Sequence, residues 1–134
     1  MANAPKISVD LADAFLDGIG TLADAGKLRV YEGTQPATPE TGIGLSTQLA
    51  ELTMNATAFG AAAAHVLTAG SITSDTNTVA GTAQWFRLWQ SDGTTPLLDG
   101  TVGTSGCDMN LNSTAITTGG TLAITSFTIN LPVA

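Results

Sequence analysis

Among 134 residues there is one cysteine, one histidine, one tyrosine and only four positively charged side chains. A single cysteine, Cys107, excludes an intramolecular disulfide. The four bases Lys6, Lys27, Arg29 and Arg87 are scattered, and nucleic-acid binding needs several phosphates neutralised together. Nucleic acid is therefore not an expected partner. The net charge of −7 argues equally against an anionic membrane surface. No apolar run approaches the ~20 residues of a membrane helix. The longest obvious apolar patch, residues 61–64, is only alanine. Asp10 and Asp13 interrupt the start before a secretory apolar region can form, so synthesis and folding in a cytoplasm are expected. Charged residues make up 11 % of the chain, against a usual ~25 %. So few charges do not suit a coiled coil or a charged disordered tail.

What fills the gap is threonine (22), alanine (20) and glycine (15), with 43 % hydrophobic residues and a mean hydropathy of +0.25. This is the composition of a threonine-rich all-β domain with a neutral polar surface. A mass of 13.5 kDa allows one domain, and a chain of this size buries roughly two-thirds of its unfolded surface, enough for a core without disulfides.

The first element reads as a helix. Ser8 is placed to cap it, and Asp10 lies in the first turn. Leu11, Phe15, Ile19 and Leu22 form one stripe at a 3.6-residue period, with Ala12, Leu16 and Ala23 beside it. Asp10, Asp13, Asp17, Thr21 and Asp24 form the opposite stripe. The expectation is that the Phe15 stripe packs inward and the acidic stripe faces solvent. Gly26 is the expected stop.

Beyond residue 26 the period falls to two. Strands are expected at 27–32, 47–54, 65–68, 83–90 and 96–102, with loops at 34–44 and 71–81. Asp92 and Gly93 mark a hairpin turn between the two strands of the strongest pair. A second hairpin is expected from 107–112 to 121–131. In its last strand Leu122 and Ile124 have one parity and Phe127, Ile129 and Leu131 the other, which implies a β-bulge near Thr125 and Ser126. Pro132 ends it. The fold class is therefore mainly β: a β-sandwich or small barrel of six to eight short antiparallel strands with one N-terminal α-helix. Residues 1–26 are expected to form an N-terminal arm and amphipathic helix, and residues 27–134 a β-sandwich domain, in one compact unit.

Motifs with chemistry are sparse. Residues 18–23 (GIGTLA) match the spacing of a dinucleotide fingerprint, but they lie inside the helix beside an acidic stripe, so close packing is the expected role. Asp108, Asn110 and Asn112 resemble the opening of a calcium loop, yet Ser113 and Gly119 stand where glycine and glutamate are required. On a strand these three would line one face, with Met109 and Leu111 facing the core. His65 has no nucleophile elbow to serve, and Cys107 beside Asp108 has no nearby base to lower its pKa. Asn55-Ala56-Thr57 and Asn112-Ser113-Thr114 are chance sequons in a threonine-rich chain. Trp85 and Trp89 share a strand face with Arg87 and would suit either a sugar-stacking platform or a core. Phe86 and Leu88 occupy the other face, so cover on both sides is expected, from a second sheet and from the helix or a neighbouring subunit. No catalytic, cofactor-binding or metal-binding residue is assigned, and the expectation is a protein that is not an enzyme.

Three blocks carry a family resemblance. Residues 28–39 (LRVYEGTQPATP) resemble a strand, Tyr, Gly-Thr-Gln-Pro-Ala block found in small proteins of tailed bacteriophages. Residues 81–114 (GTAQWFRLWQSDGTTPLLDGTVGTSGCDMNLNST) resemble that family's aromatic strand, Asp-Gly turn, Leu-Asp-Gly strand and Asp-x-Asn-Leu-Asn segment. Residues 121–132 (TLAITSFTINLP) also match. Trp89 and Cys107 depart from the pattern and take no role from it. The resemblance implies a bacteriophage virion structural protein of the head-morphogenesis region, a capsid decoration or cement protein on the outside of the head. The alternatives are a tail, collar or fibre-associated virion protein, or a carbohydrate-binding module. The implied partners are the major capsid protein or another virion protein, and further copies of the chain in a homo-oligomer. The implied location is the virion.

Overall fold

The computed structural model describes residues 6–131. The strand-ending role of Pro132 falls outside them. One helix, α1 (Val9–Leu22), precedes ten strands: β1 (Lys27–Glu32), β2 (Thr47–Met54), β3 (Val66–Thr68), β4 (Ile72–Thr73), β5 (Gly81–Thr82), β6 (Trp85–Trp89), β7 (Pro96–Gly103), β8 (Met109–Leu111), β9 (Ala115–Ile116) and β10 (Ile124–Asn130). Eight of them make one sheet in the order β3-β10-β8-β7-β6-β1-β2-β4, and β5 pairs with β9 beside it.

The sheet must curl. Its two edges, β3 and β4, are consecutive in sequence, with only residues 69–71 between them. Four Cα steps span at most ~14 Å. A flat sheet of eight strands would set its edges about 34 Å apart at ~4.8 Å per step. The result is a half-barrel with its core inside, the barrel rather than the sandwich of the two expected architectures. Pairing is antiparallel except for β7 with β8, where Val102 meets Met109 and Gly103 meets Asn110 side by side in parallel. The expected all-antiparallel set of six to eight strands is corrected to this mixed sheet plus a two-stranded one.

Alternation explains the interior. Leu28, Val30, Phe86, Leu88, Met109 and Leu111 are fully buried on the concave side. Phe127 sets its ring edge-on to Phe86 and Phe59, at centroid distances of 5.2 and 5.5 Å. Gly100 pairs with Phe86 across β6 and β7, and a methyl group on it would stand 2.5 Å from that ring. Three bulges adjust the curvature. In β2 the bulge lets adjacent Leu49 and Ala50 both turn inward, and in β10 the register slips between Ile124 and Ser126, where the parity change places it.

The helix is capped as expected, with the Ser8 hydroxyl accepting from the Leu11 N–H at 3.2 Å. Its orientation is not as expected. Ala12, Leu16 and Gly20 are buried, while Leu11, Phe15 and Leu22 are 43, 52 and 52 % exposed. At 3.6 residues per turn the helix is rotated by roughly 100° from the reading that put Phe15 inside. Two causes act together. Ala12, Leu16, Gly20 and Ala23 make a flat face, and Gly20 lies 3.5 Å, measured from an added Cβ, from Phe59. The acidic stripe is also not solvent-facing decoration: Asp13 accepts from the His65 N–H (2.8 Å), Asp17 from Ala62 (2.7 Å) and Asp24 from Ala58 (2.9 Å). Residues 58–65 are irregular chain with only isolated bridges at Phe59 and Ala63, and Ala58 is fully buried, so its N–H needs an acceptor. Ala64 and His65 both have positive φ (51° and 54°) in a two-residue turn closed by paired Ala63–Val66 hydrogen bonds. Asp13 holds that strained turn. After the helix the left-handed residue is Ala25 (φ 54°), and Gly26 instead permits a close approach to the Trp89 carbonyl.

Asp24→Ala is expected to cost about 1–3 kcal/mol by orphaning the buried Ala58 N–H, whereas Phe15→Ala should stay within ~0.5 kcal/mol. Urea midpoints of the two variants check the order, and the reverse order would restore the Phe15-in orientation.

Candidate functional site

The convex face of the four central strands carries the molecule's densest set of charged and aromatic groups. The register makes a row across β2, β1, β6 and β7: Glu51 opposite Arg29, Arg29 opposite Arg87, and Arg87 opposite Asp99. Two arginines face each other at its centre, an arrangement that is unfavourable by itself. Each is matched on its outer side. Arg87 Nε bonds Asp99 Oδ1 at 2.6 Å, and its terminal nitrogen bonds Oδ2 at 2.9 Å, a two-pronged pair in which both side chains are about 2–3 % exposed. Arg29 Nε bonds Glu51 at 2.8 Å in a more open position.

The indoles complete the neutralisation. Arg87 lies 5.3 Å from the Trp85 ring and 5.6 Å from Trp89, and Arg29 lies 5.0 Å from Trp89. Tyr31 stacks on Trp85 at 4.4 Å. Burial pushes the Tyr31 phenol above its usual pKa, against the pull of Trp89 and the two guanidiniums. The hydrogen bonds that Arg87 donates to Asp99 raise the Arg87 pKa and outweigh the effect of burial. Trp89 Nε1 is buried without a hydrogen-bond partner.

The cover over this face is the segment between β1 and β2. Its Thr38 carbonyl accepts from Arg87 at 3.3 Å, and its Ser46 hydroxyl accepts from Trp85 Nε1 at 3.2 Å. Within the chain this loop covers the arginine face in place of the expected second sheet. Trp85 is 1 % exposed, with Tyr31 stacked on it and Arg87 over its ring, so it offers no open face to a sugar. The array is a second, polar-lined core rather than a binding platform.

The other sequence-marked residues are dispersed. Met109 and Leu111 face the core as expected, with Asn110 between them on the other face and Asp108 and Asn112 just beyond the strand ends. Each of the three is separately engaged: Asp108 accepts from Thr101 N–H, Asn110 from Cys107 N–H and Asn112 from Ala123 N–H. Cys107 is half-buried. His65 Nδ1 is buried in the strained turn without a partner. Gly18, in the fingerprint-like segment, faces open space, whereas Gly20 packs. Tyr31, Arg29 and Asp99 were not singled out from sequence. Their signal is parity: Arg29 and Tyr31 alternate in β1 as Trp85, Arg87 and Trp89 do in β6.

Asp92 holds the β6–β7 turn by accepting from the Thr94 and Thr95 N–H groups and the Thr95 hydroxyl. These bonds draw its pKa well below the usual carboxylate range. A depressed folded pKa contributes stability that is complete above the unfolded value near ~4 and is lost as pH falls through the folded one. The stability difference between the wild type and Asp92→Ala should therefore be constant near neutrality and shrink below about pH 4. Melting curves from pH 2 to 7 test this, and a difference that grows on acidification would contradict it.

Asp99→Ala should cost about 3–5 kcal/mol by leaving Arg87 buried and unpaired, while Arg87→Met with Asp99→Leu should recover most of that loss. A double-mutant cycle by denaturant unfolding measures the coupling. Additive single effects would show that the pair is not coupled.

Compared with known proteins, no family model matches this chain, no curated protein matches its sequence and no solved structure matches it.

Proposed function

We propose that the protein is a non-enzymatic component of a tailed-bacteriophage virion, seated on the outside of the head against the major capsid protein. The observation that carries this reading is the three-block resemblance of residues 28–39, 81–114 and 121–132 to small virion proteins. The disposition of charged and apolar groups is in keeping with it. Nine of the eleven acids accept hydrogen bonds from the chain's own backbone or arginines, which commits them to holding the fold. Large apolar side chains are also left outside: Leu11, Phe15 and Leu22 on the helix and Leu45, fully exposed, on the loop over the arginine face. Apolar side chains outside the core suit attachment to a shell and to further copies of the chain. An acidic protein is also better placed outside a capsid than inside with the packed polyanion.

A tail, collar or fibre-associated position in the same virion is the alternative. Quantitative mass spectrometry of purified particles separates the two. A decoration role predicts on the order of hundreds of copies, one set for each repeated site of the shell. About a dozen copies or fewer would place the protein at the tail or portal, and its absence from particles would overturn the virion reading.

A further inference from the structure

The eight-stranded sheet has a gap one strand wide. β8 lies between β7 and β10 but is only three residues long, and it pairs with just Val102 and Gly103 of β7. Below it, the first part of β7 and the last part of β10 face each other with no strand between them among the described residues. A cavity of about 310 Å³ occupies this place. Since β8 stands between the two strands where it exists, their separation is two strand spacings, about 9.5 Å.

The main-chain groups on both walls point into the gap. Thr101 N–H reaches Asp108 on the β8 side, so Asp99, two residues earlier on the same strand, presents its N–H and C=O to the same edge. On β10 the Phe127 carbonyl and the Leu131 N–H bond toward the β3 side, to Ala69 N–H and the His65 carbonyl. Thr128 and Asn130, of the other parity, therefore turn toward the gap. Phe86, Leu98, Phe127 and Ile129 line the floor, with Leu98 and Ile129 only half-buried. Open main-chain edges over an apolar floor are what an added strand recognises.

Charge selects the occupant. The lining contains two acids and no base. Arg87 neutralises Asp99, which leaves Asp108 as the uncompensated charge at the upper rim, in a protein of net charge −7. We propose that the gap is a strand-insertion site for an extended segment of a partner protein. That segment contributes about three or four residues, an apolar side chain over Phe86 and Phe127 and a lysine or arginine beside Asp108. This goes beyond the virion reading and does not depend on it.

Cys107 lies on the lining and is the only cysteine, which makes it a handle. The peptide Cys-Gly-Val-Thr-Val-Lys-amide is joined to it by a disulfide in the full-length protein, giving an effective concentration on the order of millimolar. Two controls are joined in the same way: the peptide with N-methylated valine and threonine, and the peptide ending in glutamate. Amide hydrogen exchange is then read residue by residue. Insertion predicts that exchange at Asp99, Thr128 and Asn130 slows by about tenfold or more with the lysine peptide. The N-methylated peptide should give no slowing and the glutamate peptide less, and Asp108→Asn should remove the lysine preference. Equal exchange with the native and N-methylated peptides, or slowing confined to other strands, overturns the proposal. The peptide comparisons use the unmutated protein, so a folding failure cannot imitate them, and only the Asp108→Asn arm alters a lining residue.

Discussion

The fold depends on carboxylates that accept main-chain N–H groups. A chain rich in threonine, glycine and alanine makes long excursions between short strands, and each excursion carries donors that no ladder satisfies. Here the donors of residues 62 and 65 are taken by the helix aspartates Asp17 and Asp13, that of 58 by Asp24, those of 51 and 77 by Asp75, that of 82 by Glu32 and that of 101 by Asp108. The low pI follows from this use of acids. Each carboxylate ties two segments that are distant in sequence, or braces a turn, where a larger apolar core would otherwise be needed. Asp24 shows how strongly this weighs. It stands just past the C-terminal end of the helix, where the dipole disfavours negative charge, and the buried Ala58 N–H holds it there.

This also explains where the sequence was legible. Regular two-residue alternation located β1, β2, β6 and β7 closely, and a parity change located the β10 bulge, because both are local consequences of the pleat. The helix was legible as a helix, cap included. Its rotation was not, since an amphipathic pattern records which residues are apolar and not what the backbone opposite requires. Leu11, Phe15 and Leu22 outweigh Ala12, Leu16 and Gly20 in hydrophobicity, yet the smaller set fits against Phe59 and Leu67. The parallel β7–β8 step was equally hidden, because five residues between strands read as a simple reversal. On the convex face, Arg87 could be placed with the tryptophans by parity alone. Its partner Asp99 needed the β6–β7 register, which the bulge at Leu97 shifts.

That face shows how a second core can be assembled from charged residues. Arg29 and Arg87 repel across the strands, and the sheet tolerates them because carboxylates bracket the row and indole faces lie over both cations. The arrangement also fixes register. A shift of β6 by one residue against β1 would turn Arg87 toward the apolar interior and Phe86 toward the polar loop. Specificity of strand pairing at the centre of the sheet is thus written in charge as well as in hydrophobic pattern.

The position of β10 has a consequence for the order of assembly. It is the last strand of the described chain, yet it lies inside the sheet, between β3 and β8, and β3 is the strand against which the helix rests. During synthesis the β1–β2 and β6–β7 hairpins can form as they emerge from the ribosome. The edge strand β3 and the helix must wait for a neighbour some sixty residues downstream, with their apolar faces uncovered meanwhile. Closure is therefore a late event that follows translation of residue 130, and the nascent chain's dependence on holding factors should be concentrated in its first seventy residues, the part made longest before its partner exists.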